Sequence, residues 1–335
     1  MDKCLIGPRF SMVCAVTTPI TLRAHSTDDQ LAAIPVVLGF HPSDSLVMAL
    51  VVDGCLGPLV RVDLADALRP ELRHRLLSAV EQQVTPEDCE VFIVAYGDDR
   101  HQLRRVAMKA QRQASLTLNE SVVVCQGRWW YTYAADDDPG HPYCPQDSPV
   151  AAEAAYLGLP VLASRADLER YFDPPRNQRR ICARTLTLAR ERVRSLPAGQ
   201  ARQLLQEALE QCLTQNPRQL PGRRLALLLA LAENPTGRLA FWSTLNRETA
   251  SAQLGLWLQV ARRFTGEQAV IATCLVGFAA WQSGNGPLLA VAVARATAVA
   301  ARHQVVQLLH TIHDLAIPPR ELETVRRMGL LELEG

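Results

Sequence analysis

The residues best equipped for chemistry crowd together early in the chain, where His41, Ser43, Asp44 and Ser45 fall within five positions. Such a set can supply a general base, a hydroxyl nucleophile or a metal ligand. It equally suits a turn, because Asp and Ser side chains hydrogen-bond to nearby backbone around a proline such as Pro42, and the turn is the commoner outcome. Farther on, Arg61 and Asp63 alternate with Val60, Val62 and Leu64. That alternation puts a guanidinium and a carboxylate on one face of a strand, able to grip an anion, position a water or pair with each other. Gly127-Arg128-Trp129-Trp130 sets a guanidinium beside two indoles, which can form a stacking platform for a planar ligand or fill a core edge. His141 and Cys144 have the spacing of half a zinc site with no second pair, so no metal is expected. The catalytic candidates are therefore His41, Asp44 and Asp63. The ligand-binding candidates are Ser45, Arg61, Asp98, Arg128 and Trp129, and no cofactor is assigned.

These residues need elements to hold them. Leu31 to Ile34 reads as one or two helical turns with a side-chain cap, stopped by Pro35. Ser45–Val52 and Leu59–Leu64 are strand-like, and the glycines and proline between Asp53 and Pro58 make them an antiparallel hairpin. Asp66 can cap a following helix with apolar positions at Leu68, Leu72, Leu76, Leu77 and Val80. Glu90–Tyr96 is a continuous apolar strand, Leu103, Val106, Ala107 and Ala110 mark a second helix, and Ser121–Cys125 is a third strand. The alternation predicts parallel strands joined by crossovers, with ligands at the strand ends: Asp63 to Asp66, Tyr96 to Asp98 and Gln126 to Arg128, joined on the same rim by His41 to Ser45. Trp129–Tyr133 and Pro160–Ala163 read as further strands, with short helices at 151–157 and 165–171.

Beyond Pro174 and Pro175 only helical patterns remain. Helices are expected at 177–195, 198–214, 222–232, 236–247, 249–263, 267–282, 287–301, 303–315 and 319–328, separated by Pro, Asn and Gly breaks. The stretch Arg176 to Arg194 around the first of these carries seven arginines against one glutamate. Arg176, Arg180, Arg184, Arg190 and Arg194 fall opposite Cys182, Leu186, Ala189 and Val193, so the helix offers a solvated face or, as a lesser alternative, a phosphate-backbone surface. Gly277, Gly284 and Ala296 around Trp281 look like one copy of a tetratricopeptide-type helix pair. The predicted architecture is an α/β domain over 12–175, with a mixed, mainly parallel sheet and a leading hairpin, then an all-helical, helical-hairpin or tetratricopeptide-like domain over 176–335.

The 335 residues suit two domains, and 35 basic against 34 acidic residues leave a net charge of +1, so nothing in the whole-molecule field calls for nucleic acid or a membrane surface. Only Lys3 and Lys109 are lysines, so an arginine here carries little functional weight. Nine scattered cysteines make no disulfide framework and read mostly as small core residues. No run approaches the roughly 18 apolar residues of a membrane span, and the N-terminus is too broken for a signal peptide. The cytoplasm is the expected compartment. Residues 1–11 show no periodic pattern, and Met12 is an alternative start.

Several stretches carry a resemblance: AAIPVVLGFHPSDSLVMALV (Ala32 to Val51), RVDL (Arg61 to Leu64), GRWW (Gly127 to Trp130), YCPQDSPV (Tyr143 to Val150), SRADL (Ser164 to Leu168) and FAAWQSGNGPLLAVAVARA (Phe278 to Ala296). Together they resemble the actinobacterial domain of unknown function family numbered 4192, over nearly the whole chain. That family's pattern at Tyr143 to Pro145 is Cys-Cys-Pro, often with another cysteine upstream, whereas only Cys144 stands here. The resemblance implies a high-GC actinobacterial source and a cytoplasmic location and supplies no reaction. With no nucleophile elbow, phosphate loop, dinucleotide fingerprint or zinc helix, the expected function is non-catalytic: a ligand- or partner-binding rim on the α/β domain and a helical arm that binds protein. The alternatives are a hydrolase or transferase acting on an anionic small molecule, with Asp44 or His41 as base and Arg61 and Arg128 as charge stabilisers, and nucleic-acid binding through the Arg176 to Arg194 helix.

Overall fold

The computed structural model describes residues 10–13, 26–52, 55–71, 89–157, 159, 161–174, 179–197, 199–215, 219–315 and 317–331. The chain divides into two compact units, Met1–Leu168 and Glu169–Gly335.

In the first unit α1 (Thr27–Leu38) begins where the Ser26 hydroxyl accepts from the Asp29 N–H and ends at Gly39, whose φ of +74° closes the last turn. Pro35 sits inside this helix rather than ending it. It lies in the last turn, so the helix forfeits the bond Pro35 cannot donate and still runs on to Leu38. The sheet has seven strands: β1 (Phe10–Val13), β2 (Ser45–Val52), β3 (Cys55–Asp63), β4 (Cys89–Tyr96), β5 (Thr117–Cys125), β6 (Arg128–Tyr131) and β7 (His141–Pro142). Their order is β1-β3-β2-β4-β5-β6-β7. The leading hairpin β2–β3 is antiparallel as expected, with a register shift between Ala49 and Val51.

The expectation of a mainly parallel sheet is corrected. Among the named strands only β4 and β5 pair in parallel, and every other pairing is antiparallel. The physical reason lies in β2, which pairs antiparallel with both β3 and β4. β3 and β4 therefore do run the same way, as a crossover requires, but β2 is inserted between them, which is a split βαβ arrangement. β2 and β4 are apolar throughout because they are central strands with both faces covered, and their described side chains are almost all buried. β5 and β6 are joined by Gln126 and Gly127, with φ of +48° and +74°, the mirror-image turn that suits a two-residue hairpin. Phe10–Val13 is an edge strand on β3, so Phe10 and Ser11 take part in the sheet although residues 1–11 show no periodic pattern.

Among the described residues the unit has four further helices. α2 (Leu64–Ala67) starts after Asp63, not Asp66, and the part of the expected helix that carries Leu72, Leu76, Leu77 and Val80 lies outside the described residues. α3 (Arg100–Gln113) is capped by the Asp99 carboxylate and buries Leu103, Val106, Ala107 and Ala110 against β4 and β5. α4 is Pro149–Tyr156 and α5 is Arg165–Glu169. In place of a strand over 160–163 there is a single parallel bridge, Phe40 to Leu162, with Pro160 outside the described residues.

The second unit is helical: α6 (Ala183–Arg194), α7 (Gln200–Gln215), α8 (Gly222–Glu233), α9 (Pro235–Thr244), α10 (Ala250–Ala261), α11 (Val270–Gln282), α12 (Gly286–Ala300), α13 (Gln304–Asp314) and α14 (Leu322–Leu331). It is built from packed helix pairs, with α11 at the centre. All thirteen α11 residues are buried, as expected of a helix without a charged residue on any side. Gly277 permits this closeness, because a Cβ there would lie 2.7 Å from the Leu309 side chain on α13 and 3.1 Å from Ala292 on α12. The arginine-rich helix is shorter than expected. Residues 179–182 are not helical, Arg176 lies outside the described residues, and Arg190 is held by Glu233 of α8, so no single five-arginine face exists. Among the described residues no helix is long and apolar enough to cross a membrane.

Candidate functional site

Strand register decides which predicted residues meet. Ser45 is opposite Asp63 on β3 and opposite Tyr96 on β4, Tyr96 is aligned with Val124, and Val124 with Trp129, which faces His141. Residues aligned in a ladder leave the same face of a sheet, so these six form one row, each about 5 Å from the next. Arg61, two residues before Asp63, shares that face.

At the β3 end of the row the side chains are buried and polar. Arg61 is 4 % exposed, Ser45 0 % and Tyr96 3 %. One Arg61 Nη donates to Asp63 Oδ1 at 2.7 Å and the other to the Ser43 carbonyl at 3.1 Å, and the guanidinium lies 5.9 Å from the Phe40 ring centre. Arg165, at the start of α5, brings a second guanidinium to 3.9 Å from the same Asp63 oxygen. The Phe40 to Leu162 bridge makes that meeting possible, with the His41 N–H donating to the Leu162 carbonyl at 3.0 Å. Tyr143, just past β7, sets its ring edge-on to Tyr96 at 6.2 Å between centres. Burial pushes the Tyr143 phenol up to about 12, and burial, reinforced by Tyr143, raises Tyr96 well above its usual value. Both phenols therefore keep their protons at neutral pH and act as donors.

Among the described residues the buried Ser45 Oγ and Arg61 Nε have no hydrogen-bond partner, and the buried Tyr96 and Tyr143 hydroxyls have only each other. All four carry hydrogens to donate. Tyr143 and Arg165 were not singled out from sequence, and Tyr96 only as a strand end. The available signals were a tyrosine closing an apolar run, and positions inside the Tyr-Cys-Pro and Ser-Arg-Ala-Asp-Leu stretches.

The other candidates lie apart. His41 is half-buried, and burial lowers its pKa, so its ring is neutral at pH 7. Asp44 is exposed, with φ +41°, and holds the turn through its backbone carbonyl, which accepts from the Leu64 N–H at 2.8 Å. Its carboxylate makes no hydrogen bond among the described residues, which corrects the expectation that side-chain bonds shape this loop. The Asp98 side chain is exposed, and the residue's contribution is its carbonyl, which accepts from the Cys125 thiol. Arg128 staples a loop, donating to the carbonyls of Pro139 and Gly140 at 2.6 and 2.7 Å. The Trp129 indole donates to Asp28 at 2.8 Å and its ring is stacked on His141, with centres 4.3 Å apart. Its stacking face is thus occupied from within the chain, while Arg100 lies over Trp130 at 4.6 Å. Among the described residues no group of three or more His, Cys, Asp or Glu could hold a metal ion.

The sequence pattern of the domain of unknown function family DUF4192 matches residues 28–320, which takes in α1, the polar row and nearly all of the helical unit. The chain belongs to this family. No curated protein and no solved structure matches it. The DUF4192 region starts at Asp28, the residue that holds the Trp129 indole, so both ends of the row fall within the family domain.

Proposed function

We propose that this DUF4192 protein is a non-catalytic binding protein whose α/β unit takes a small oxyanion, a carboxylate or a phosphate ester, against Arg61, Ser45, Tyr96 and Tyr143. The observation that carries the reading is that, among the described residues, the buried Ser45 Oγ and Arg61 Nε lack an acceptor and the Tyr96 and Tyr143 hydroxyls have only each other, which leaves one phenol proton without one. Each donor left without an acceptor costs about 1–3 kcal/mol of desolvation, so several at one end of the row are a sizeable penalty that an acceptor-rich ligand removes. Two guanidiniums, those of Arg61 and Arg165, stand beside the group.

Binding fits better than turnover because the groups an enzyme would combine are dispersed. Arg61 on β3 and Arg128 on β6 are four strand spacings apart, about 19 Å. Arg128 is committed to loop carbonyls, and neither His41 nor Asp44 has a side-chain hydrogen bond to a candidate nucleophile among the described residues.

Calorimetry of the full chain with inorganic phosphate, sulfate and acetate tests the reading. Saturable binding is expected, weakened at least tenfold by Tyr143→Phe with Tyr96→Phe and by Arg61→Met, while Arg128→Met leaves it intact. No saturable binding of any of the three, or equal loss with Arg128→Met, overturns it.

A further inference from the structure

The helical unit contains a separate cavity of about 690 Å³ bounded by α6, α7 and α8. This is within the range of small-molecule sites, roughly 300–1,000 Å³. Its floor is apolar, formed by Leu188, Leu204, Leu227, Leu228 and Leu231, and Leu188 stands 57 % exposed at the lip. Its charged lining is one-sided, with Arg184, Arg192, Arg223 and Arg224 against Glu207 alone.

The helix directions sort these charges. α6 and α8 run the same way: Ile181, just before α6, is 3.4 Å from where a Gly222 Cβ would sit at the start of α8, and Arg190 near the end of α6 grips Glu233 at the end of α8 with bonds of 2.7 and 2.6 Å. α7 runs the opposite way, since Arg224 donates to Gln211 late in α7 while Ala201 near its start approaches Gly237 beyond the end of α8. Arg184, Arg223 and Arg224 therefore gather at one end of the cavity, with Leu204 and Leu231 toward the other. Arg192 lies eight residues beyond Arg184 on the same helix, about 12 Å along it. Glu207 is engaged by Gln203 at 3.0 Å, and among the described residues the Arg184 and Arg223 side chains have neither an ion pair nor a hydrogen bond. A guanidinium cluster at one end of an apolar trough calls for a ligand with an anionic head and a hydrocarbon body.

We propose that this cavity binds a single-chain anionic amphiphile, a carboxylate or phosphate monoester, with its head at Arg184, Arg223 and Arg224 and its chain over Leu188, Leu204, Leu228 and Leu231. The site is independent of the oxyanion reading for the α/β unit. Cys182 stands at the head-group end, at the N-cap of α6, and a hydrogen bond from Thr185 lowers its pKa, so it reports occupancy through its reactivity.

The experiment titrates the full chain with dodecanoate, dodecyl phosphate and dodecyltrimethylammonium below their micellar concentrations, by calorimetry and by peptide-resolved alkylation of Cys182. Both anions should bind with one-to-one stoichiometry and slow Cys182 alkylation, and the cation should do neither. Arg223→Gln and Arg184→Gln should each weaken dodecanoate at least fivefold and Leu188→Glu at least tenfold, with Arg192→Gln having the smallest effect. Leu188 is exposed, so that variant keeps the fold intact, and its circular dichroism and melting temperature should match the parent. Equal binding of the cation, indifference to both Leu188→Glu and Arg223→Gln, or unprotected Cys182 overturns the proposal. So does binding only to phosphatidylglycerol vesicles, or to an acidic amphipathic peptide but not to dodecanoate, which would mark a bilayer or a protein helix as the occupant.

Discussion

Replacing Ser45 by alanine should make the ligand-free protein more stable. Ser45 is fully buried at the start of β2, between Asp63 and Tyr96, and its hydroxyl has no partner among the described residues. An unpaired buried hydroxyl costs about 1–3 kcal/mol, whereas removing one oxygen forfeits packing contacts worth less than about 1 kcal/mol. The expected net gain is about 1 kcal/mol, or about 2–4 °C in the melting temperature of a unit this size. Urea titration would show it as a higher midpoint at unchanged slope. With saturating phosphate the order should narrow or reverse, because occupancy stabilises in proportion to affinity and the variant has lost a donor to the ligand. Destabilisation of ligand-free Ser45→Ala by 1 kcal/mol or more would refute the reasoning, since it would mean that ordered water already satisfies the hydroxyl.

Asp44 holds φ +41° with its carboxylate unbonded, so Asp44→Gly should match or exceed the parent in stability, while Asp44→Val should cost about 1–2 kcal/mol; thermal melts giving the opposite order would exclude backbone strain as the cause. Gly237→Ala should destabilise by about 3 kcal/mol, because the new methyl would overlap the Leu231 carbonyl oxygen, a backbone atom that cannot swing away, and an unchanged urea midpoint would contradict that packing. Burial lowers the pKa values of His41 and His303 below 6.5, so between the folded and unfolded values the unfolded chain binds more protons, and stability is complete above about pH 6.5 and declines as pH falls through the folded values. His41→Gln should reduce that slope and leave the part due to His303, and a slope unchanged in melts from pH 7.5 to 5 would place the linkage elsewhere.

The strands β2 and β4 were legible because continuous apolar runs of that length have few other fates, and the β2–β3 hairpin because glycines and a proline separate its arms. Strand direction was not. Strand and helix alternate in the same way whether or not a third strand lies between two parallel ones, and only the ladder of β2 against both β3 and β4 separates the cases. The arginine-rich segment misled for a related reason. Periodicity over Arg176 to Arg194 takes the backbone as helical throughout, yet Arg179 to Cys182 approach α6 without helix, with the Ile181 N–H bonded to the Arg263 carbonyl 2.9 Å away.

For the site, the boundary of legibility runs between alternation and long-range contact. Arg61, Asp63 and Ser45 were visible because two-residue spacing and a hairpin fix their shared face without knowledge of the rest of the fold. Tyr96 and Tyr143 meet only through the order of β4 to β7, with Tyr143 following β7 at once and its N–H bonded to the Gly127 carbonyl, and Arg165 arrives through the bridge at Leu162. Arg128 and Trp129 show the converse. Their residue types suggested a ligand platform, but the chain itself supplies what they bind: two loop carbonyls, the Asp28 carboxylate and the His141 ring. An arginine or tryptophan whose donors and faces are filled from within the fold stiffens it, while a buried donor left empty is where a ligand changes the free energy. By that criterion the proposed oxyanion site lies at the Arg61, Ser45 and Tyr96 end of the polar row, while at the other end the Trp129 indole ties α1 to the sheet through Asp28.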